Sequence, residues 1–157
     1  MRTVVITGGS RGIGAAAVRE FSARGDQVFF LYEKNHEAAK AVAVENGAEA
    51  ICCDVADGEA VKAAFARIPD VDVLICNAGV MHFGLMSMME ESAWDRLFAV
   101  NVKGIYHCVN PHPLLPRPPR LRLPQLLPRH LLPRLPLRRL PCVCMVPLTS
   151  STSAPTA

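Results

Sequence analysis

Four short apolar runs, Thr3–Ile6, Val28–Leu31, Ala50–Cys53 and Val71–Cys76, alternate with segments whose apolar residues recur at helical spacing. A run of four to six apolar residues bounded by turn residues fits a strand buried on both faces. A helix between consecutive strands makes those strands parallel neighbours, because only a crossover of that length returns the chain to the same end of the sheet. Between the first two runs Ile13, Ala17 and Phe21 recur at four-residue steps and stop near Gly25. Ala38, Ala39, Ala41 and Val42 mark a second helix ending at Asn46–Gly47. Val61, Ala64, Phe65 and Ile68 mark a third, closed by Pro69, and a fourth is expected from Glu91 to about Asn110. Right-handed crossovers then predict an α/β chain: a doubly wound parallel sheet, incomplete at about four strands.

This pattern stops at residue 110. Residues 1–110 carry ten basic and fourteen acidic side chains, whereas 111–157 carry seven arginines, no acid, no lysine, no glycine and twelve of the thirteen prolines. The expected organisation is a folded domain over 1–110 and a disordered Pro/Arg/Leu-rich, low-complexity tail over 111–157. From 111 to 141 only Pro, Leu, Arg, His and Gln occur. Those five are the residues whose codons begin with cytosine, so the leading expectation is a frameshift near codon 110 in a GC-rich gene. A genuine interaction tail is the competitor. Pro113–Arg117 fits a PxxP ligand, and the arginines could meet nucleic acid or acidic lipid. Any proline- and arginine-rich stretch contains such matches, so no nucleic-acid or membrane partner is predicted. The fourth strand would be left as a sheet edge, with one flank of the core open.

Met1-Arg2 leads straight into the first strand, with no leader-like apolar region, and no run of eighteen apolar residues exists. A cytoplasmic protein is expected. Cys52, Cys53, Cys76 and Cys108 lie in core-like segments and read as reduced, buried thiols. Cys142-Val-Cys144 lacks the spacing of a zinc site, and no metal is expected.

The most specific motif is Thr7-Gly8-Gly9-Ser10-Arg11-Gly12-Ile13-Gly14, set between the first strand and the first helix. Glycines at 8, 12 and 14 permit a tight turn and close approach of backbone N–H groups to a ligand. The helix N-terminus adds a partial positive charge, so a pyrophosphate is the natural occupant.

The TGxxxGxG spacing resembles the short-chain dehydrogenase/reductase family rather than the GxGxxG order of other Rossmann-type folds. Asp54-Val55, Asn77-Ala78-Gly79 and Asn101-Val102-Lys103-Gly104 match the family's further motifs in order, over residues 1 to about 110. Ser10-Arg11-Gly12-Ile13-Gly14 looks most like the β-ketoacyl-carrier-protein-reductase-like members. The resemblance implies an NAD(P)-dependent oxidoreductase that reduces a small carbonyl or oxidises an alcohol by hydride transfer. It implies that Asp54 accepts from the adenine amino group, with capping of the next helix as the compatible plain role. Asn77, Ala78 and Gly79 would pass beneath the cofactor. Asn101 would be the catalytic-site asparagine, holding a water in a proton relay by opening its helix locally. The family is commonly homo-oligomeric, pairing its fourth and fifth helices between subunits.

Cofactor choice rests on the end of the second strand. Tyr32 stands at the diagnostic position and carries no charge. Glu33 next to it could favour NAD, whereas Arg11 and Lys34 are placed to reach a 2′-phosphate. The expectation is NADP, with NAD not excluded. The family's proton-transfer group, a tyrosine with a lysine four residues on plus a serine, has no counterpart: Tyr32 is followed by His36 and Tyr106 by Asn110. A catalytically incomplete form is therefore expected. The alternative is a non-catalytic nucleotide-binding or tail-mediated interaction protein.

Overall fold

A computed structural model describes residues 1–110 and the strand pair 143–144. The chain runs β1 (Thr3–Thr7), α1 (Gly12–Ala23), β2 (Gln27–Tyr32), α2 (His36–Asn46), β3 (Glu49–Cys52), α3 (Gly58–Phe65), β4 (Val73–Cys76), α4 (Glu91–Phe98) and α5 (Gly104–Val109), with a short β5 (Val143–Cys144). All pairings are parallel, in the order β3-β2-β1-β4-β5. The chain steps outward from β1 through β2 to β3 and then returns to β1's other side for β4. The strand order thus reverses beside β1, and the carboxyl ends of β1 and β4 flank the crevice where open α/β sheets take their ligands.

Strand alternation sorts the core into two layers. Val4, Ile6, Val28, Phe30, Val73 and Ile75 pack with Ala15 and Val18 of α1 and Ala39 and Val42 of α2. Val5, Phe29, Leu31, Ile51 and Leu74 pack on the other side with Val61, Ala64 and Phe65 of α3, and with Val100 and Cys108. Every residue of β1 is buried, as a central parallel strand requires. Helix ends follow local chemistry. Asn35 Oδ1 accepts from Ala38 N at 3.0 Å to start α2, and Gly47, at φ 62°, ends it.

The structure corrects the helix faces. Ile13 is 52 % exposed, and α1 buries Gly14, Ala15 and Val18 instead. Ala17 and Phe21 are partly buried and pack against the core as the four-step reading expects, so the departure is confined to Ile13, where the first turn fits small residues against the glycine turn. Ala41 is exposed: the α2 stripe is centred on the buried Ala39 and Val42, with Ala43 partly buried beside them. Cys52 is exposed rather than buried, because β3 borders the sheet and Cys52 is its last residue; its Sγ donates to the Glu33 carbonyl. The fourth helix is not continuous: a wide π-type turn at Ala99–Lys103 separates α4 from α5. The expected free edge at β4 carries β5, with Val143 beside Ile75 and Cys144 beside Cys76. The remaining tail, with its PxxP motif and Cys142, lies outside the described residues. No helix among the described residues is long and apolar enough to cross a membrane.

Candidate functional site

A cleft of about 410 Å³ lies at the carboxyl ends of the strands. Its walls are Gly8, Ser10 and Arg11 from the turn after β1, Leu31–Asn35 from the end of β2 and the loop beyond it, Cys53–Val55 after β3, and Ala78–Val80 after β4, closed by Val100.

The turn is tied to its neighbours by backbone bonds. Gly8 N and Gly9 N both donate to the Leu31 carbonyl, at 2.8 and 3.2 Å. Gly8 has φ 70°, and a Cβ there would sit 3.0 Å from Ala78 Cα, so glycine is demanded by both conformation and space. A Cβ on Gly14 would collide with the Gly8 carbonyl. Thr7 Oγ1 accepts from the N–H groups of Asn77 and Ala78, each at 2.9 Å. Asn77 Nδ2 returns bonds to the carbonyls of Thr7 (3.0 Å) and Gly8 (3.2 Å). At the start of α1, Arg11 holds the N-cap position in extended conformation with no side-chain cap bond. The first N–H groups of α1 are thereby left for an external acceptor.

Charge gathers at the β2–β3 end of the cleft. Arg96 of α4 reaches across with both terminal nitrogens: Nη1 lies 2.7 Å from Asp54 Oδ2 and Nη2 lies 3.1 Å from Glu33 Oε2. Glu33 Oε1 meets Lys34 Nζ at 2.7 Å. Asp54 Oδ1 accepts from Ala56 N at 2.9 Å. Burial alone would raise the Asp54 carboxyl, but the Arg96 and Ala56 hydrogen bonds and the charges of Arg96 and Lys34 hold it below its ordinary value. Capping of α3 falls to Asp57, which accepts from Glu59 N and Ala60 N, and not to Asp54. The Tyr32 hydroxyl is 3.0 Å from His36 Nδ1, and burial, with Cys52 beside it, raises its pKa. Burial, aided by Asp54 and Asp57, pushes the Cys53 thiol up to about 11, so it stays protonated at neutral pH.

Asn101 sits in the π-type turn, and its amide grips the loop after β4. Oδ1 accepts from Val80 N and Nδ2 donates to Val80 O, both at 2.9 Å. Of the sequence-predicted residues, Gly8, Ser10, Arg11, Tyr32, Lys34, Asp54, Val55, Ala78 and Gly79 line the cleft. Gly12, Ile13, Gly14, Asn77 and Asn101 stand outside its lining and shape the turn, the helix start and the β4 loop. Sequence reasoning missed Thr7 as the acceptor joining β1 to β4, and Arg96 altogether. The threonine stood in the motif, so its position was a signal. An arginine on an amphipathic helix reads as solvated, and nothing local marks its reach.

The family model described as short chain dehydrogenase matches residues 2–112. The cyclic-di-GMP-binding biofilm dispersal mediator protein of Escherichia coli K12 is 43 % identical over 106 residues, covering 68 % of this chain and 45 % of that protein. The 3-oxoacyl-[acyl-carrier-protein] reductase FabG of Staphylococcus aureus Mu50 is 33 % identical over 117 residues, covering 69 % of this chain and 48 % of its own length. A Burkholderia cenocepacia short chain dehydrogenase solved with NADP is 34 % identical at a TM-score of 0.68, covering 70 % of this chain and 49 % of that one. BdcA solved with NADPH is 43 % identical at a TM-score of 0.66, covering 68 % and 44 %. The chain thus spans about half the length of the curated relatives it matches. With the 3-2-1-4 strand order, the glycine turn and the β4 loop in place, it belongs to the short-chain dehydrogenase family.

Proposed function

We propose that this chain binds NADP(H) in the cleft at the carboxyl ends of its sheet, as the nucleotide-binding part of a short-chain carbonyl reductase. The observation that carries the reading is the uncapped start of α1 opening beside a glycine turn in which neighbouring backbone fills the Cβ positions of Gly8 and Gly14. Such a turn accepts an anion against N–H groups and the helix dipole, worth up to ~2 kcal/mol for a partly buried anion. Arg11 and Lys34 would face a 2′-phosphate, while Tyr32 and the Asp54 loop would take the adenosine end. When bound, the cofactor supplies a hydride to a small carbonyl substrate or accepts one from an alcohol. Asn101 would act through Val80, holding the β4 loop beneath the nicotinamide end. These 157 residues hold no Tyr-x-x-x-Lys to deliver the proton, so binding without turnover is the expectation for this chain. We attribute the change of composition at 111 to a shifted reading frame, and resequencing codons 105 to 145 tests that. A frame that opens onto a serine and a Tyr-x-x-x-Lys supports it.

The test of the site is a titration of the full chain with NADPH, followed by the cofactor's fluorescence. A saturable change in the micromolar range supports the reading, and a linear response overturns it. A second reading has one specific support, the 43 % identical relative named for binding cyclic di-GMP. In that reading the same cleft takes a cyclic dinucleotide without chemistry. Displacement of NADPH by cyclic di-GMP would favour it, and independent binding or none would exclude a shared cleft.

A further inference from the structure

We propose that Arg96 sets the cofactor preference of this cleft: by bridging Glu33 and Asp54 it removes free carboxylate from the place where a 2′-phosphate would lie. The inference rests on the NADP(H) reading and deepens it. Glu33 follows the diagnostic Tyr32, where an acidic side chain would accept from a ribose 2′-OH and repel a phosphate. Here both of its oxygens already face cations, Oε1 to Lys34 and Oε2 to Arg96. The Lys34 side chain is 83 % exposed and holds Glu33 loosely, whereas Arg96 is 36 % exposed and anchored at its other nitrogen by Asp54. The bridge is a planar fork spanning two carboxylates from different loops, a geometry that a lysine's single ammonium does not reproduce.

The charge count points the same way. Arg11, Lys34 and Arg96 stand against Glu33 and Asp54, one positive charge in excess at the mouth. Without Arg96 the balance is neutral and Glu33 regains an unpaired oxygen. Asp54 keeps lone pairs free beyond those taken by Arg96 and Ala56, since a carboxylate has about four acceptor sites, so the bridge leaves adenine a partner.

Affinities for NADPH and NADH, measured by fluorescence titration of the full chain and its Arg96→Gln variant, test the assignment, with circular dichroism reporting the fold. Arg96→Gln is expected to weaken NADPH roughly tenfold, equivalent to ~1.4 kcal/mol, and to leave NADH within about twofold. Adding Glu33→Gln to Arg96→Gln should restore most of the NADPH affinity, because the exposed carboxylate is then gone. Equal losses for both cofactors would mean that Arg96 merely supports the cleft, and would overturn the assignment. So would an unchanged NADPH affinity, or a double variant that does not recover. Should Arg96→Gln fail to fold, Arg96→Lys decides: a fall in the NADPH-to-NADH ratio supports the bridge, and an unchanged ratio refutes it. A wild-type chain that binds neither cofactor is a different failure, one that removes the nucleotide reading and this assignment with it.

Discussion

Asp54 is pulled two ways, and the balance is measurable. Partial burial favours its neutral form, yet Arg96 at 2.7 Å and Ala56 N at 2.9 Å favour the carboxylate and win, leaving its pKa lowered. A carboxyl with a depressed folded-state pKa stabilises the fold fully above its unfolded value of about 3.9, and loses that contribution as pH falls through the folded value. Asp54→Asn should therefore cost about 1 kcal/mol at pH 7, the scale of a half-exposed charged hydrogen bond. The gap to wild type should close toward pH 3, as read from urea midpoints at the two pH values. A gap that persists in acid would assign the loss to packing. The Asp54-Val55 motif was visible in the sequence, but its partner lies 42 residues away on another element and becomes a neighbour only once the sheet has wound. The glycines were legible for the opposite reason. Gly8 and Gly14 answer constraints set within one turn and its adjoining strands, so the sequence carries the constraint locally.

At the level of elements, β1, β2 and β4 announced themselves as runs of apolar residues because a strand covered on both faces needs them at nearly every position. The segment from Glu91 to Val109 was less transparent. Its spacing reads as one helix, yet a π-type turn interrupts it at Ala99–Lys103, and α5 then comes so close that a Cβ on Gly104 would meet Val55 Cγ2 at 2.8 Å. Asn101, inside that turn, uses both ends of its amide on Val80, which lines the cleft. Asn101→Ala leaves the Val80 N–H and C=O without those partners at a part-buried position, an expected loss of roughly 1–2 kcal/mol. Asn101→Asp retains the acceptor for Val80 N but sets a second acceptor against the Val80 carbonyl, so it should lose at least as much as Asn101→Ala. Urea denaturation gives the totals, and faster amide exchange at Val80 locates the effect. Unchanged exchange there would mean that the loop after β4 is held by Thr7 and Asn77 alone.

The whole molecule presents an apolar stripe that its own described residues do not cover. Trp94, Phe98, Val102 and Tyr106 recur at four-residue steps along α4, the π-type turn and α5 and are 41 %, 45 %, 56 % and 61 % exposed, while α4 buries none of its residues. Single exposed apolar side chains are ordinary, but a stripe running through two consecutive helices has the form of an interface. Trp94 and Phe98 already lie with ring centroids 4.7 Å apart, a preformed aromatic surface. We propose a second copy of the chain as the occupant: α4 and α5 together make up the fourth helix expected from the sequence, one of the two that the family resemblance implies pair between subunits. About half of each side chain is still exposed, so burying the rest is worth roughly half of the ~1.5–3 kcal/mol of full burial, contributed by both copies and offset by the cost of association. Sedimentation of the wild-type chain should show a concentration-dependent dimer. Phe98→Asp would place an unpaired carboxylate at the centre of the stripe and should shift the chain to monomer. NADPH binding should survive that change, because Phe98 does not line the cleft. Retention of the dimer in Phe98→Asp would place the contact on another surface. A wild-type chain that stays monomeric up to high concentration would mean that something other than a second copy covers the stripe.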